Sequence, residues 1–199
     1  YIGNIIGTVL MSIVNGIQGK PLLNPVNELI ENLDTWVIFL LTVVAAPIFE
    51  ELLYRKLLID RVAHYGDRVA IILSGVLFGL SHGNFYQFFY AFGLGVVFAY
   101  VYINTGKLRY TIIFHAVINF MGSIVALHAA DNIWFAMAYG IFMIAAVVLG
   151  VVFLILYRRE IRLKPAMLAI PRGRRFETLF LNLGMILFFF VSVGLFLFS

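Results

Sequence analysis

Apolar residues run almost without interruption through seven stretches of the chain, and only short polar breaks separate them. The stretches are residues 1–17, 35–60, 68–82, 86–104, 110–129, 132–157 and 177–198. A helix needs about 20 predominantly apolar residues to cross a bilayer. The pattern therefore predicts an all-α fold, a polytopic transmembrane bundle of roughly seven apolar helices.

Turn-forming residues mark the breaks between these stretches: Gly66-Asp67, Gly83-Asn84, Thr105-Gly106 and Asp131-Asn132. The longest early break, residues 19–34, contains two prolines, and its second half is predicted to form a short interfacial helix. No repeat or low-complexity tract divides the chain, so we expect one integral-membrane domain over residues 1–199. Because Tyr1 lies inside an apolar run and is not Met, we expect the chain to be a fragment or a renumbered core.

The composition supports a membrane protein. Charged residues make up 12% of the chain and hydrophobic residues 63%, whereas soluble domains carry roughly 25% charged residues. Cysteine is absent, which excludes a disulfide framework and a thiolate site. The net charge of +4 is attributed to an excess of basic residues in the loops on one side of the membrane, and no nucleic-acid partner is expected.

The basic residues lie in alternate links between the apolar stretches. The link at residues 158–175 is the most basic, and the links after the second and fourth stretches are basic as well. The intervening links are acidic, with Lys20 as their only basic residue. Since positively charged loops stay in the cytoplasm, we expect the basic links of this integral membrane protein to be cytoplasmic. The short loops and the lack of targeting signals fit a bacterial plasma membrane.

Two adjacent carboxylates, Glu50 and Glu51, end the second apolar run. On a helix Glu51 and Arg55 share a face, so Arg55 can pair with Glu51 and keep it ionised. Glu50 is rotated by about 100° and can face a different cavity. The alternative is that both carboxylates sit at the interface and solvate the helix end.

Two histidines also occur inside apolar stretches. His82 follows Phe78 by four residues, and His115 precedes Asn119 by four residues, so each pair shares a helix face. Ionisable groups at membrane depth are functional candidates. The alternatives are a satisfied polar residue for His82 and a hydrogen-bond clamp between helices for His115 and Asn119.

Other polar residues near these positions have a simpler interpretation. Tyr86 and Gln87, after the Gly83-Asn84 break, suit an interfacial aromatic belt. His64 lies in a basic link and His128 at a helix end, and both are expected to be exposed surface residues.

The candidate groups together supply two carboxylates, two imidazoles and an amide from three helices. A carboxylate can act as general base toward water, and imidazole or amide groups can stabilise an oxyanion. Glu50, His82 and His115 are also a ligand set for catalytic zinc with an open position. The residues favour hydrolysis of an amide and leave open whether zinc or no metal takes part.

Three ordered motifs carry a resemblance to a known family: Glu50-Glu51-x-x-x-Arg55, Phe78-x-x-x-His82 and His115-x-x-x-Asn119. They resemble the CPBP intramembrane proteases, which include type II CAAX prenyl endopeptidases and Abi or bacteriocin-processing proteins. The resemblance covers roughly residues 40–125, which are the expected catalytic core helices.

The resemblance implies an intramembrane endopeptidase that cuts a peptide or membrane-anchored protein substrate near the cytoplasmic membrane face. It implies that Glu50 activates water with His82 as its partner, and that His115 and Asn119 stabilise the oxyanion. Glu51 belongs to the same catalytic group, with Arg55 and Phe78 in support. The family is described both as metalloproteases and as metal-free glutamate proteases, and both descriptions fit these residues.

A common site places one condition on the fold. His82 lies about 22 Å along its helix, whereas His115 lies only about 8 Å into its own. We therefore expect the third stretch to be tilted or to start outside the hydrocarbon, with Gly83-Asn84 buried in protein. The alternative function is a non-catalytic immunity or binding protein of the same fold. A proton-coupled transporter is a weaker alternative, because the sequence shows no inverted repeat.

Overall fold

The computed structural model describes residues 2–18, 33–168 and 174–198. These residues contain no strand, so the predicted all-α fold is confirmed. The helices are α1 (Ile2–Gln18), α2 (Thr35–Tyr65), α3 (Asp67–Leu80), α4 (Phe85–Thr105), α5 (Leu108–Phe120, continued by Met121–Val125 and Ala126–Ala130), α6 (Ile133–Tyr157), α7 (Arg175–Phe180) and α8 (Leu183–Phe198). The predicted interfacial helix between α1 and α2 falls outside the described residues.

Four of these helices, α2, α4, α5 and α6, are long and apolar enough to cross a membrane. The 14 residues of α3 extend only about 21 Å, which is less than the hydrocarbon core of about 30 Å. The seventh predicted stretch is not one helix but two, α7 and α8. Its break is stabilised by Asn182, whose side-chain oxygen accepts a hydrogen bond from the backbone N–H of Met185 at 3.0 Å and so caps α8.

Two of the long helices contain π-helical segments. In α2 these are Phe39–Ala45 and Leu52–Leu57, and in α5 the segment is Met121–Val125. Single π-helical turns inside α-helices are frequent at functional sites. The candidate motif Glu50-Glu51-x-x-x-Arg55 straddles the second of these segments.

Helices α3 and α4 pack closely because glycines face each other across their interface. A Cβ atom on Gly95 would lie 2.9 Å from the Cα of Gly75, so no larger residue fits there without a shift. Small residues allow this close approach of helices in membranes. Phe78, which is 1% exposed, fills the neighbouring space and joins the core cluster of buried residues.

The turn between α3 and α4 is buried inside the protein, as the sequence predicts. Asn84 is 5% exposed, and its side chain accepts a hydrogen bond from the backbone N–H of Gln87 at 3.0 Å, which caps α4. Gly83 adopts a φ of 67°, and a Cβ there would lie 2.8 Å from the Cβ of Leu195. Helix α8 therefore covers the turn that follows His82.

The interfacial position predicted for Tyr86 is wrong. Its side chain is buried at 2% exposure, whereas Gln87 is half-buried. The cause is helix α1, in which Gly7 allows the backbone to come so close that a Cβ there would lie 3.0 Å from the Tyr86 carbonyl oxygen. The packing of α1 on α4 thus removes Tyr86 from the surface.

The basic link after α6 is docked on the turn between α2 and α3. The backbone N–H of Lys164 donates to the Asp67 carboxylate at 2.7 Å, and the N–H of Asp67 donates to the Lys164 carbonyl at 3.2 Å. The backbone N–H groups of Met167 and Leu168 both donate to the His64 carbonyl at 3.0 Å. The two basic links therefore lie at the same end of the bundle, as the sequence predicts, and their cytoplasmic side remains a prediction.

Candidate active site

Three helical regions bring the predicted site residues together. Helix α2 carries Glu50, Glu51 and Arg55, the end of α3 and the following turn carry Phe78 and His82, and α5 carries His115 with Asn119. The contacts between these regions are made by side chains that are far apart in the sequence.

Glu51 and Arg55 form the predicted ion pair, and both side chains are fully buried. Arg55 Nε lies 2.9 Å from Glu51 Oε2, and Arg55 Nη2 donates to Glu51 Oε1 at 3.1 Å. A third contact runs from Arg55 Nη1 to Ser74 Oγ at 3.0 Å. The pairing confirms the prediction that Arg55 holds Glu51 and shows that Glu51 is occupied by its neighbours.

His115 lies between the two carboxylates. Its Nδ1 lies 3.0 Å from Glu51 Oε1, and its Nε2 lies 3.7 Å from Glu50 Oε2. Because an ionised carboxylate can only accept, Nδ1–H is the donor to Glu51, and this hydrogen bond fixes the orientation of the ring. Nε2 is thereby turned toward Glu50.

Glu50 differs from Glu51 in exposure and in pairing. Its side chain is 33% exposed, against 0% for Glu51. Its Oε2 atom, which faces His115, is itself buried and has no hydrogen-bond partner among the described residues, so the exposed part of the side chain lies elsewhere on Glu50. Glu50 is therefore the carboxylate that water or a substrate can approach.

The ring of Phe78 forms the centre of the site. Its centroid lies 5.0 Å from the ring of His82 and 5.6 Å from the ring of His115, both nearly edge-on. The Arg55 guanidinium lies 4.7 Å from the same ring, a cation–π distance. The structure thus brings the two predicted histidines to one aromatic side chain, although they lie in different helical regions.

His82 is oriented by its own helix. Its Nδ1 lies 2.8 Å from the Phe78 carbonyl oxygen. A carbonyl can only accept, so Nδ1 carries the proton, and in the neutral ring Nε2 is left as an acceptor. The free ring nitrogen of His82, Nε2, can therefore act as a base.

Asn119 bridges α5 and α2. Its Nδ2 donates to the Thr42 carbonyl oxygen at 2.8 Å, inside the first π-helical segment. Ser123 extends the contact, because its Oγ donates to the Asn119 carbonyl of the same helix at 2.6 Å and lies 3.4 Å from Thr42 Oγ1 of α2. The helix clamp considered from the sequence is present for Asn119, and its predicted oxyanion role stays a prediction.

Comparison with known proteins adds to this geometry. The model of the family described as type II CAAX prenyl endopeptidase Rce1-like matches residues 32–121. The chain is 27% identical over 122 residues to the membrane-embedded CAAX protease MroQ of Staphylococcus aureus (strain USA300), a match that covers 58% of this chain and 49% of that protein. The predicted resemblance to the CPBP family is confirmed.

The extent of the CPBP similarity is limited in two ways. The chain spans about half the length of the curated relative. No solved structure matches the chain. The matched residues 32–121 contain all three motifs, whereas the basic link and α8 lie outside them.

The zinc ligand set considered for the CPBP motifs does not converge in this geometry. Within the described parts of the chain, no group of three His, Asp, Glu or Cys side chains is placed to hold a metal ion. The Nδ1 atoms of His82 and His115 are already hydrogen-bonded, to the Phe78 carbonyl and to Glu51, so only their Nε2 atoms are left for a metal. We therefore derive no catalytic step through a metal, and the ligand set Glu50, His82 and His115 stays a prediction.

Some residues of the site were not found from the sequence. Ser74 precedes Phe78 by four residues and so shares its helix face, which is a signal that could have identified it. Phe98, at 2% exposure, lies 5.4 Å from the His115 ring and 5.7 Å from the Arg55 guanidinium. No sequence signal distinguishes it from the other phenylalanines of α4.

The two histidines predicted to be surface residues lie outside the site contacts. His128 is exposed, and its Nδ1 lies 2.8 Å from the Ile124 carbonyl oxygen of its own helix. His64 is half-buried rather than exposed, because its ring packs on Tyr65 at 3.9 Å and its carbonyl accepts from the basic link.

Proposed function

We propose that this protein is an intramembrane endopeptidase of the CPBP type, in which Glu50 activates the water that hydrolyses a peptide bond. The observation that carries the proposal is the unequal pair of carboxylates. Glu51 is fully buried and paired with Arg55, while Glu50 is 33% exposed and lies 3.7 Å from His115 Nε2. A carboxylate without an arginine partner, at the edge of a buried polar cluster, suits a general base.

The reaction begins with water bound at Glu50. The carboxylate takes one proton while the water oxygen attacks the carbonyl carbon of the scissile amide. When the C–N bond breaks, the amine nitrogen receives this proton from Glu50 and leaves. His82, whose Nε2 is an acceptor, acts as the second proton-handling group in this scheme.

Stabilisation of the oxyanion is assigned to α5. His115 can donate from Nε2 only when both ring nitrogens carry protons, since Nδ1–H already points to Glu51. Asn119 has a second amide hydrogen besides the one given to Thr42, and this hydrogen is the proposed oxyanion donor.

Glu51 and Arg55 are proposed as positioning residues rather than groups that touch substrate. Glu51 Oε1 orients His115, and Arg55 orients Glu51. This arrangement links the Glu50-Glu51-x-x-x-Arg55 motif to the His115-x-x-x-Asn119 motif. In this proposal, Glu51 serves the same reaction as Glu50 by orienting His115.

The substrate is proposed to be a peptide or membrane-anchored protein cut near the end of the bundle that carries the basic links. The relative MroQ is named a CAAX protease, which supports substrates cut close to a membrane-attached segment. Prenylated chain ends, bacteriocin leader peptides and small signalling peptides all meet this description.

The proposal is tested by comparing peptides released from membranes that contain wild-type protein or the Glu50→Gln variant. We expect the variant to insert normally and to lose cleavage by about 10²–10⁴-fold, the contribution of a general base. Asp131→Asn is the matched control, because Asp131 is an exposed carboxylate in the turn between α5 and α6. Full activity in Glu50→Gln would favour the alternative, a non-catalytic immunity or binding protein.

A further inference from the structure

A cavity of about 440 Å³ lies where the basic link docks on the turn between α2 and α3. Its walls come from both sides of this contact: Tyr65 and Arg68 from the turn, and Leu163, Lys164 and Leu168 from the link, with Leu179 of α7 closing one side. The cavity is outside the cluster formed by Glu50, His82 and His115, and the proposed protease activity does not use it.

The cavity presents positive charge that no described residue neutralises through an ion pair. Arg68 and Lys164 are exposed, and neither forms an ion pair with another described residue. None of the lining residues is acidic. Asp67, which lies between the lining residues Gly66 and Arg68 in the sequence, is buried at 6% exposure and already accepts the backbone N–H of Lys164. The two cations are therefore available to an anionic ligand.

The remaining wall of the cavity is apolar. Leu163, Leu168 and Leu179 line it together with Val69 and Pro165. A small inorganic anion would leave these surfaces without contact. A ligand with an anionic group joined to hydrocarbon would satisfy both the cations and the leucines.

The position of the cavity indicates where such a ligand comes from. Helix α2, which is long enough to span the membrane, ends at the lining residue Tyr65, and the link that supplies Leu163 and Lys164 begins directly after the end of the long helix α6 at Tyr157. The ends of spanning helices lie at the depth of lipid headgroups. Basic pockets between helices at this depth are suited to anionic headgroups.

From this combination of charge, apolar wall and depth, we propose that the cavity binds an anionic phospholipid. The headgroup phosphate contacts Arg68 and Lys164, and the glycerol and first acyl carbons contact the leucines. Because Leu179 also packs against the core cluster of Tyr54 and Phe78, the bound lipid holds the link and α7 against α3. A ligand that binds only the docked link stabilises that arrangement.

The proposal is tested on the full chain, purified in detergent and exchanged into nanodiscs with equal amounts of phosphatidylglycerol and phosphatidylcholine. The protein is released from the nanodiscs, and the lipids that remain bound to it are counted by native mass spectrometry. We expect wild-type protein to retain phosphatidylglycerol about tenfold more than phosphatidylcholine and the double variant Arg68→Gln/Lys164→Gln to lose this preference. The matched control, Lys107→Gln/Arg109→Gln, removes two exposed cations, one just before α5 and one in its first turn, and is expected to keep this preference.

A second variant tests the cavity rather than its charge. Ala166 lines the cavity, and Ala166→Trp fills it while leaving both cations in place. We expect this variant to lose phosphatidylglycerol retention as well. The proposal is overturned if both pocket variants retain the lipid as wild type does. It is also overturned if an acidic peptide, added without anionic lipid, binds wild type but not the double variant while lipid retention is equal in both.

Discussion

The carboxylate of Glu51 and the imidazole of His115 meet at 3.0 Å inside the protein, although 64 residues separate them in the chain. The same carboxylate is held by Arg55 on its own helix. The contact joins α2 to α5 and turns the second ring nitrogen of His115 toward Glu50. The position of the proposed oxyanion donor therefore depends on a carboxylate that does not itself handle water.

Replacing Glu51 is expected to destabilise the protein far more than replacing Glu50. Glu51→Gln leaves a fully buried Arg55 without its counter-charge, and breaking a buried ion pair costs about 3–5 kcal/mol. Glu50→Gln alters a partly exposed side chain and is expected to cost less than about 1 kcal/mol. Unfolding in mixed detergent micelles measures both, and equal losses would contradict the division of roles between the two carboxylates.

Phe78 and Phe98 provide a matched pair of aromatic variants. Both rings contact Arg55 and His115, but only Phe78 contacts His82. Each Phe→Leu change is expected to lose a cation–π contact of about 0.5–2 kcal/mol. We expect Phe78→Leu to lower kcat more than Phe98→Leu at similar stability, as measured by cleavage rate and thermal unfolding. Identical kcat values would show that Phe78 does not position His82.

Asn119→Ala is expected to affect both stability and catalysis. It leaves the Thr42 carbonyl without its donor, which costs about 1–3 kcal/mol, and removes the proposed oxyanion donor, which lowers kcat by about 10²–10³-fold. Ser123→Ala is the control, because it removes a hydrogen bond of the same helix contact without an assigned catalytic group. If the two variants lower kcat to the same extent, Asn119 acts only as a clamp.

Gly83→Ala is expected to disturb the turn that follows His82. The φ of 67° costs a non-glycine residue about 1–2 kcal/mol, and the new Cβ would meet Leu195 at 2.8 Å. Leu195→Gly removes the Cβ that the new methyl group meets, so in the double variant we expect the steric cost to disappear and the backbone cost to remain. The control is Gly93→Ala in α4, where nothing lies within 4 Å of an added Cβ. Thermal unfolding of the two single variants, the double variant and the control measures these costs. If the costs of the Gly83 and Leu195 changes simply add in the double variant, the two residues are not in contact.

Metal removal is expected to leave cleavage unchanged. Among the described residues, no three His, Cys, Asp or Glu side chains are placed to hold a metal ion, and the Nδ1 atoms of His82 and His115 are already hydrogen-bonded to Phe78 and Glu51. The measurement is activity after dialysis against a chelator, together with metal content by mass spectrometry. Loss of activity that stoichiometric zinc restores would assign the metal to Glu50, His82 and His115.

Local patterns predicted the parts of the site that lie on one helix. Glu51 and Arg55 share a face because they are four residues apart, and the structure pairs them. Helix geometry also separates Glu50 from Glu51, and their exposures differ as expected. The burial of Gly83-Asn84 followed from the requirement that distant histidines reach one site.

Most contacts between helices could not be predicted from the sequence. Apolar helices in a membrane present similar surfaces all round, so periodicity does not say which neighbour each face contacts. The sequence favours an interfacial position for Tyr86, because no sequence pattern shows that α1 approaches α4 through Gly7. The docking of Lys164 on Asp67 uses backbone groups, which carry no residue-specific signal.

The contact between Asp67 and Lys164 also has a consequence for biosynthesis. The two residues are 97 positions apart, and α4, α5 and α6 lie between them. At about 5–20 residues per second, Asp67 leaves the ribosome roughly 5–20 s before its partner is made. During that interval the first turn of α3 lacks the backbone groups that satisfy its buried carboxylate, so this end of the helix settles only after α6 has been synthesised.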